Sequence, residues 1–381
     1  MSRYDFVVVG GGCFGAWTAH ELIRGGHKVL LVDSYGPAHA RASSGGESRL
    51  IRAGYGPDAL YTRWSLQSLQ RWKELAERTR RSLFHRTGML WLAGRDDAYI
   101  EQTRKTLNEV GVAHERFSRA ELERRFAQIA TNGIEWALWE PDSGVLMARQ
   151  AIQALVAEAV TQGMQYRTVK IESPEECGRL KAIVSADGDS LVADHFVFAC
   201  GAWLAKVFPD LLGRRIYPTQ QEIFYFSPPP GDTDFQPPAM PAWFDFDALV
   251  YGAADLEGRG FKLSVDRHGP PIDPDASDRL PNAELLATAR DYLARRFPKL
   301  RAAALNESRV CQYENTSNGD FIIDRHPQME NVLIVGGGSG HGFKHGPAVG
   351  DYVRRLLGGE AEPEPRFALA AKGTTQHRNV Y

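Results

Sequence analysis

Residues 6–33 read FVVVGGGCFGAWTAHELIRGGHKVLLVD, and this stretch decides the fold. Phe6–Val9 is an unbroken apolar run closed by glycine, as expected of a strand buried on both faces of a parallel sheet. Gly10, Gly12 and Gly15 follow in GxGxxG order, ahead of a helical segment that runs to about Arg24. Gly10 permits a tight turn, Gly12 lets backbone approach a pyrophosphate, and Gly15 lets helix pack on strand. Cys13 and Phe14 stand inside this motif at the helix N-terminus, whose unpaired N–H groups meet phosphate oxygens. A second run, Lys28–Val32, ends at Asp33, followed by Ser34. Asp33 lies about 20 residues beyond the turn, where a carboxylate binds both ribose hydroxyls and repels a 2′-phosphate. Strand, glycine turn, helix, strand and acid together predict a dinucleotide-binding unit in an α/β fold. They do not separate FAD from NAD, which present the same adenosine diphosphate moiety.

Two more runs, Phe196–Ala199 and Val332–Val335, read as buried strands of the same kind. Helical spacing of apolar residues predicts helices over 60–78, with Leu66, Leu69, Trp72 and Leu75 as core, and over 284–297. The proline clusters at 228–230, 237–241 and 270–274 mark loops. Residues 42–55, ASSGGESRLIRAGY, are rich in small side chains, Ser43 and Ser44 among them, and carry Arg49 and Arg52. Residues 331–344, NVLIVGGGSGHGFK, give a strand, a glycine turn and then a helix with Val349, Tyr352, Val353 and Leu356 as its apolar face. A second helix N-terminus is thereby aimed at something anionic.

Bulk properties narrow the partners. With 381 residues, 43% of them apolar, and a formal charge of −2, the chain reads as a soluble globular protein. No apolar run approaches the ~18 to 20 residues that cross a bilayer, and no segment masses basic charge, so neither membrane nor nucleic acid is expected. The start of the chain reads as a strand rather than a signal peptide. Four dispersed cysteines, Cys13, Cys177, Cys200 and Cys311, fit neither a disulfide framework nor a CxxC metal site, and a reducing cytoplasm is expected. A GxSxG elbow and an HExxH pattern are both missing, so neither a nucleophilic serine nor a zinc site is expected.

Several blocks occur in an order that resembles the monomeric sarcosine oxidase and N-methyltryptophan oxidase family, within the D-amino-acid-oxidase-like flavoproteins. They are the N-terminal unit, SRLIRAGYG at 48–56, EPDSGVL at 140–146, FACGAW at 198–203, FKL at 261–263, then CQY at 311–313, FIID at 321–324 and SGHGFK at 339–344. The resemblance extends over nearly the whole chain. It implies a discontinuous FAD-binding domain (1–88, 145–215 and 320–381) and an antiparallel-sheet substrate domain (89–144 and 216–319), with the flavin ring clamped between them. FAD contacts carried over by it include Cys200, Gly201, Trp203, Gly338, Gly340, His341 and Gly342.

In similar enzymes the counterpart of Cys311 attaches the flavin through a thioether, so covalent FAD is expected here; the other three cysteines read as inert. The counterparts of Arg52 and Lys344 hold the substrate carboxylate, as a guanidinium fork beside an ammonium does well. Arg49 matches a residue beside the flavin ring, with a structural ion pair as its alternative reading. Lys262 matches the lysine that promotes reaction with dioxygen, because a fixed cation stabilises developing superoxide. Tyr251 and Tyr313 match pocket tyrosines, and His341 reads as support for the turn. The expected reaction is oxidation of the C–N bond of a small carboxylate-bearing amine, giving an imine and hydrogen peroxide. Substrate and dioxygen are the expected partners, in a monomer or weak homo-oligomer. The alternatives are a dehydrogenase that passes electrons to a quinone or carrier protein, a flavin-binding protein without turnover and, last, a nicotinamide dehydrogenase.

Two departures bear on the substrate. Relatives commonly carry a histidine where FKLSVDRHG places Asp266, and another near Arg49 where this chain has Gly45. If Asp266 faces the cavity, it favours a cationic group on the substrate and raises the pKa of a nearby amine; its other reading is a solvent-facing residue paired with Arg267 or His268.

Overall fold

The computed structural model describes residues 3–94 and 97–376. Strand Arg3–Val9 runs between Val29–Asp33 and Ser190–Phe198, parallel to both, and Val332–Gly336 adds in parallel beyond Ser190–Phe198. The four apolar runs of the sequence are thus four adjacent strands of one sheet. Their alternate residues feed opposite faces: Val8, Leu31, Val197 and Leu333 enter one core, Val7, Leu30, Phe196 and Val332 the other. A strand with a core on each side has no position for a polar residue, which is why these runs are unbroken. Gln165–Thr168 extends the sheet in parallel, Ile322–Arg325 closes the other edge antiparallel, and Ala182–Val184 pairs antiparallel with Ser190–Phe198.

Helices Cys13–Arg24, Ala59–Thr79, Ala148–Thr161 and Gly346–Leu357 bury their apolar stripes on one face of this sheet. The first and last pack with almost no spacing: a Cβ on Gly350 would lie 2.7 Å from the Trp17 carbonyl carbon, and one on Gly346 2.6 Å from the Trp17 ring. Of the predicted core stripe in Ala59–Thr79, Leu69, Trp72 and Leu75 join this core, whereas Leu66 packs against a different cluster.

The second sheet has eight strands, in the order Leu305–Asn315, Tyr217–Phe226, Phe261–Val265, Val250–Ala253, Ala242–Asp245, Met89–Ala93, Trp136–Glu140 and Glu115–Ser118. Its pairs are antiparallel except Ala242–Asp245 on Met89–Ala93, which is parallel. Helix Ala283–Arg296, N-capped by Asn282, covers one face and sets Tyr292 flat against Trp243. Arg296 at its last turn meets the buried Asp245 carboxylate at 3.0 Å, where Tyr292 also donates to the same oxygen. A small third sheet, Arg49–Ile51 with Gly144–Leu146 and Phe84–His85, carries the arginine segment between the two large sheets.

Candidate active site

A cleft with a cavity volume of about 310 Å³ opens where the strands Arg3–Val9 and Val29–Asp33 end. The glycine turn at its floor is obligatory. Gly10 has φ +111°, and a Cβ there would sit 2.3 Å from the Ala199 carbonyl oxygen; a Cβ on Gly15 would sit 1.9 Å from the Gly10 carbonyl oxygen. Asp33 organises the turn as well as facing the cleft: Oδ2 accepts from the Gly11 amide at 2.7 Å, and Oδ1 from the Tyr35 and Gly36 amides. Ser44 Oγ accepts from the Cys13 amide at the start of the helix, 3.1 Å away.

Most residues expected to contact the cofactor line this one cleft. Gly10, Gly12, Cys13, Phe14, Asp33 and Ser34 form one end with Ser43 and Ser44; Cys200, Gly201 and Trp203 form a wall; Gly338, Gly340 and Gly342 close it beside Arg49 and Cys311. Gly15 serves the packing of helix on turn and does not line the cleft. His341 and Lys344 line a second, smaller cavity of about 70 Å³ instead.

All seven residues expected at the substrate, Arg49, Arg52, Tyr251, Lys262, Asp266, Tyr313 and Lys344, line the second cavity. Arg49, Tyr313, Gly340 and Phe343 belong to both walls, so the two cavities adjoin. Arg49 is held by carbonyl oxygens: Nη1 donates to Ser48 and Nη2 to Ser43, with Cys311 Sγ at 3.1 Å from Nη2. Among the described residues it makes no ion pair, unlike one of the two readings of its sequence.

The site gathers four basic side chains, Arg49, Arg52, Lys262 and Lys344, two of them buried lysines. Lys262 is 1% exposed; its Nζ donates to the Ser48 carbonyl at 2.9 Å and to Ser48 Oγ. Burial, reinforced by the neighbouring Arg49 charge, brings its pKa down to about 7. Lys344 Nζ donates to Tyr55 Oη at 2.7 Å and to the His341 carbonyl at 2.9 Å. Burial and then Arg52 push its pKa well below the usual lysine range. The Arg52 guanidinium lies over the rings of Tyr55 and Trp91 and donates to the Gly54 carbonyl. Asp266 is the sole carboxylate among the residues of this wall. It is buried, and Tyr313 Oη donates to its Oδ1 at 3.2 Å, so it faces inward rather than to solvent.

Sequence reasoning missed four residues. Tyr55 Oη is the hub of a buried network that joins Lys344 Nζ, His345 Nε2 at 2.7 Å and His341 Nδ1 at 3.2 Å. Its position three residues after Arg52 was the only signal, and His345 had none. Gln312 and Glu314, on the strand that carries Cys311, also line the cleft.

A family model described as "DAO: FAD dependent oxidoreductase" matches residues 5–356. The chain belongs to this FAD-dependent oxidoreductase family. Within it, the chain is 32% identical over 362 residues to monomeric sarcosine oxidase of Bacillus sp. (strain NS-129), covering 93% of each. It is 28% identical to N-methyl-L-tryptophan oxidase of Salmonella agona (strain SL483), covering 96% of this chain and 97% of the other. In fold it is similar to L-proline dehydrogenase from P. horikoshii, with a TM-score of 0.84 at 22% identity and 97% coverage of each chain. For this FAD-dependent oxidoreductase the cleft fits its cofactor on two counts. Glycines keep its walls free of side-chain bulk, and at Gly340 a Cβ would lie 2.5 Å from the Tyr313 ring. Buried polar atoms of its lining, Ser43 Oγ, Gln312 Nε2 and Glu314 Oε2, have no hydrogen-bond partner among the described residues. All four cysteines are unpaired, and no helix among the described residues is long and apolar enough to cross a membrane.

Proposed function

We propose that the enzyme oxidises the C–N bond of a small carboxylate-bearing amino acid, a secondary or N-methylated amine, with dioxygen as the electron acceptor. The observation that carries this reading is that Arg52 and Lys344 stand in a cavity sharing the wall Arg49, Tyr313, Gly340 and Phe343 with the cofactor cleft. The names of the relatives, sarcosine oxidase and N-methyl-L-tryptophan oxidase, point to the same substrate class.

Bound FAD supplies the hydride acceptor and the path of electrons to dioxygen. The chain supplies position and charge. Arg52 and Lys344 hold the carboxylate and so fix the carbon that reacts, an orientation effect that lowers the barrier without covalent chemistry. Tyr251 and Tyr313 shape the amine end. Arg49 places positive charge at the junction of the cavities, where negative charge develops on reduction, and Lys262 places a second cation where dioxygen is reduced. Small cavity volume and burial exclude water, which strengthens each of these interactions. Cys311 is the side chain we assign to covalent attachment of FAD. We assign residues 1–88, 145–215 and 320–381 to the FAD domain and 89–144 with 216–319 to the substrate domain, in a monomeric or weakly associating enzyme of the reducing cytoplasm.

Anaerobic addition of sarcosine or another N-methyl amino acid should bleach the flavin, and admission of air should restore the colour with one hydrogen peroxide per amine. Bleaching without peroxide in air would replace the oxidase reading by that of a dehydrogenase; no bleaching by any amine would remove catalysis altogether.

A further inference from the structure

Three residues past Cys311, the Glu314 side chain enters the cofactor cleft, where an acidic group is out of place beside a negatively charged dinucleotide. It is 9% exposed. Oε1 accepts from the Gly338 amide at 3.1 Å, whereas Oε2 is buried with no hydrogen-bond partner among the described residues. That oxygen lies 3.5 Å from where a Cβ of Gly201 would be and 3.6 Å from one on Gly336, so glycines hold the space around it open. Two residues earlier on the same strand face, Gln312 is 1% exposed and in the same lining. Arg279 Nη2 donates to its Oε1 at 2.9 Å, which fixes the amide orientation and leaves Nε2, a donor, without a partner among the described residues.

A buried carboxylate with one oxygen unsatisfied carries the full desolvation penalty of a charge; a buried carboxylic acid carries the smaller penalty of a neutral group, which a partner for its one donor removes. Among the described residues, no cation faces Glu314 from the elements around it. The loop 336–338 presents the amides of Gly337 and Gly338, the neighbouring strand presents Pro218 opposite it, and the turn after Phe198 presents Cys200. Asp33, further along the cleft, adds negative charge.

We propose that Glu314 serves cofactor binding as a neutral carboxylic acid, donating from Oε2 to an acceptor oxygen of the bound dinucleotide, next to Gln312 donating from Nε2. The inference rests on FAD being the ligand of this cleft. Burial, opposed by the two glycine amides, brings the Glu314 pKa up to about 7, and an acceptor oxygen in contact raises it further, because only the acid can donate. Ionisation then turns a donor into a repelling anion. Cofactor affinity therefore falls by up to about tenfold per pH unit between the pKa of the cofactor-free site and the higher pKa of the complex, and levels off above it.

The test uses the flavin-loaded enzyme, with Glu314→Gln as the permanently neutral donor and Glu314→Ala as the deletion. Flavin absorbance is recorded from pH 6 to 9, together with the temperature at which flavin fluorescence is released; both readouts work whether or not the flavin is covalent. Wild type should show a spectral shift and a fall in release temperature toward pH 9. E314Q should keep the low-pH spectrum and a flat release temperature, and E314A should be purified with less flavin at every pH. An E314Q profile that follows wild type, or E314A with full flavin content and an unchanged spectrum, overturns the role of Glu314. Wild-type protein that carries no flavin at all overturns the FAD reading instead, so the two failures are distinguishable.

Discussion

Arg49 Nη2 stands 3.1 Å from Cys311 Sγ, which sets a guanidinium and a thiol side by side where the cofactor cleft meets the substrate cavity. Arg49 also spans both walls, so attachment at Cys311 would bring the ring against that guanidinium. The electrostatic consequence is a ring whose reduced, anionic form is favoured.

Acid-precipitated wild-type protein should therefore retain its yellow colour in the pellet, and Cys311→Ala should release it to the supernatant. A colourless wild-type pellet would rule out the thioether. With Cys311 intact, Arg49→Ala should lower the reduction potential of the bound flavin.

Lys262 has a sign that can be checked by pH. Its pKa near 7 means the cation is populated below about pH 7 and lost above, so the second-order rate of flavin reoxidation should fall as pH rises through that value. Lys262→Met should slow reoxidation by about 10²-fold or more, remove its pH dependence, and leave flavin reduction nearly unchanged. Equal slowing of both half-reactions would take the oxygen role from Lys262. Linkage adds a second readout. The unfolded lysine titrates near ~10.4, so the folded state binds fewer protons between about pH 7 and 10, and wild type should gain stability over that window while K262M does not.

How far the site could be read in the sequence differs by element. Phe6–Val9, Val29–Val32, Phe196–Ala199 and Val332–Val335 are legible because a strand with cores on both faces is apolar throughout. The second sheet is less so. Trp136–Glu140 and Ala242–Asp245 are short and carry a buried acid each, Glu140 and Asp245, and the parallel pairing of Ala242–Asp245 with Met89–Ala93 joins segments far apart in the chain. Arg52 and Lys344 were legible only through the order of family blocks, since arginine and lysine are mostly surface residues. Tyr55 was marked only by its place after Arg52, and His345, Gln312 and Glu314 were not legible, because what distinguishes them is burial against a remote segment. Glu314 alternates with Tyr313 as any strand residue does; only the approach of the glycine loop 336–340 makes it a buried acid.

The Lys344 and Arg52 pair predicts proton uptake on binding. Burial and Arg52 favour neutral Lys344, and an arriving carboxylate favours its cation, so a substrate or carboxylate inhibitor should take up a proton near neutral pH. An indicator dye in weakly buffered solution measures this, and Lys344→Met should abolish it. Loss of either cation should raise KM by about ten- to a hundredfold, the worth of one charge-assisted hydrogen bond. A purely lowered kcat at unchanged KM would assign them elsewhere.

Asp266 is the one acid in a cavity whose lining also carries the basic residues Arg49, Arg52, Lys262 and Lys344. We expect it to favour substrates whose amine end carries positive charge. A panel of sarcosine, larger N-methyl amino acids, cyclic imino acids and basic amino acids, assayed for peroxide, should show Asp266→Ala losing about tenfold or more in kcat/KM for the basic members relative to the neutral ones. The same rank order in both proteins defeats that assignment.

The cleft's geometry can be tested at its glycines without any substrate. Gly10→Ala meets two obstacles, a φ of +111° and a carbonyl oxygen of Ala199 only 2.3 Å from the new Cβ. That oxygen belongs to the backbone following a central strand, which cannot give way without unpairing the sheet from Val9. Gly201→Ala also has a positive φ, +55°, but its nearest neighbour is Glu314 Oε2 at 3.5 Å, ordinary contact. The left-handed conformation alone costs roughly 1–2 kcal/mol. G201A should thus fold with a modest drop in Tm, whereas G10A should lose flavin and either melt far lower or fail to accumulate. Comparable behaviour of the two variants would mean that the Gly10 turn is not a rigid floor of the cleft.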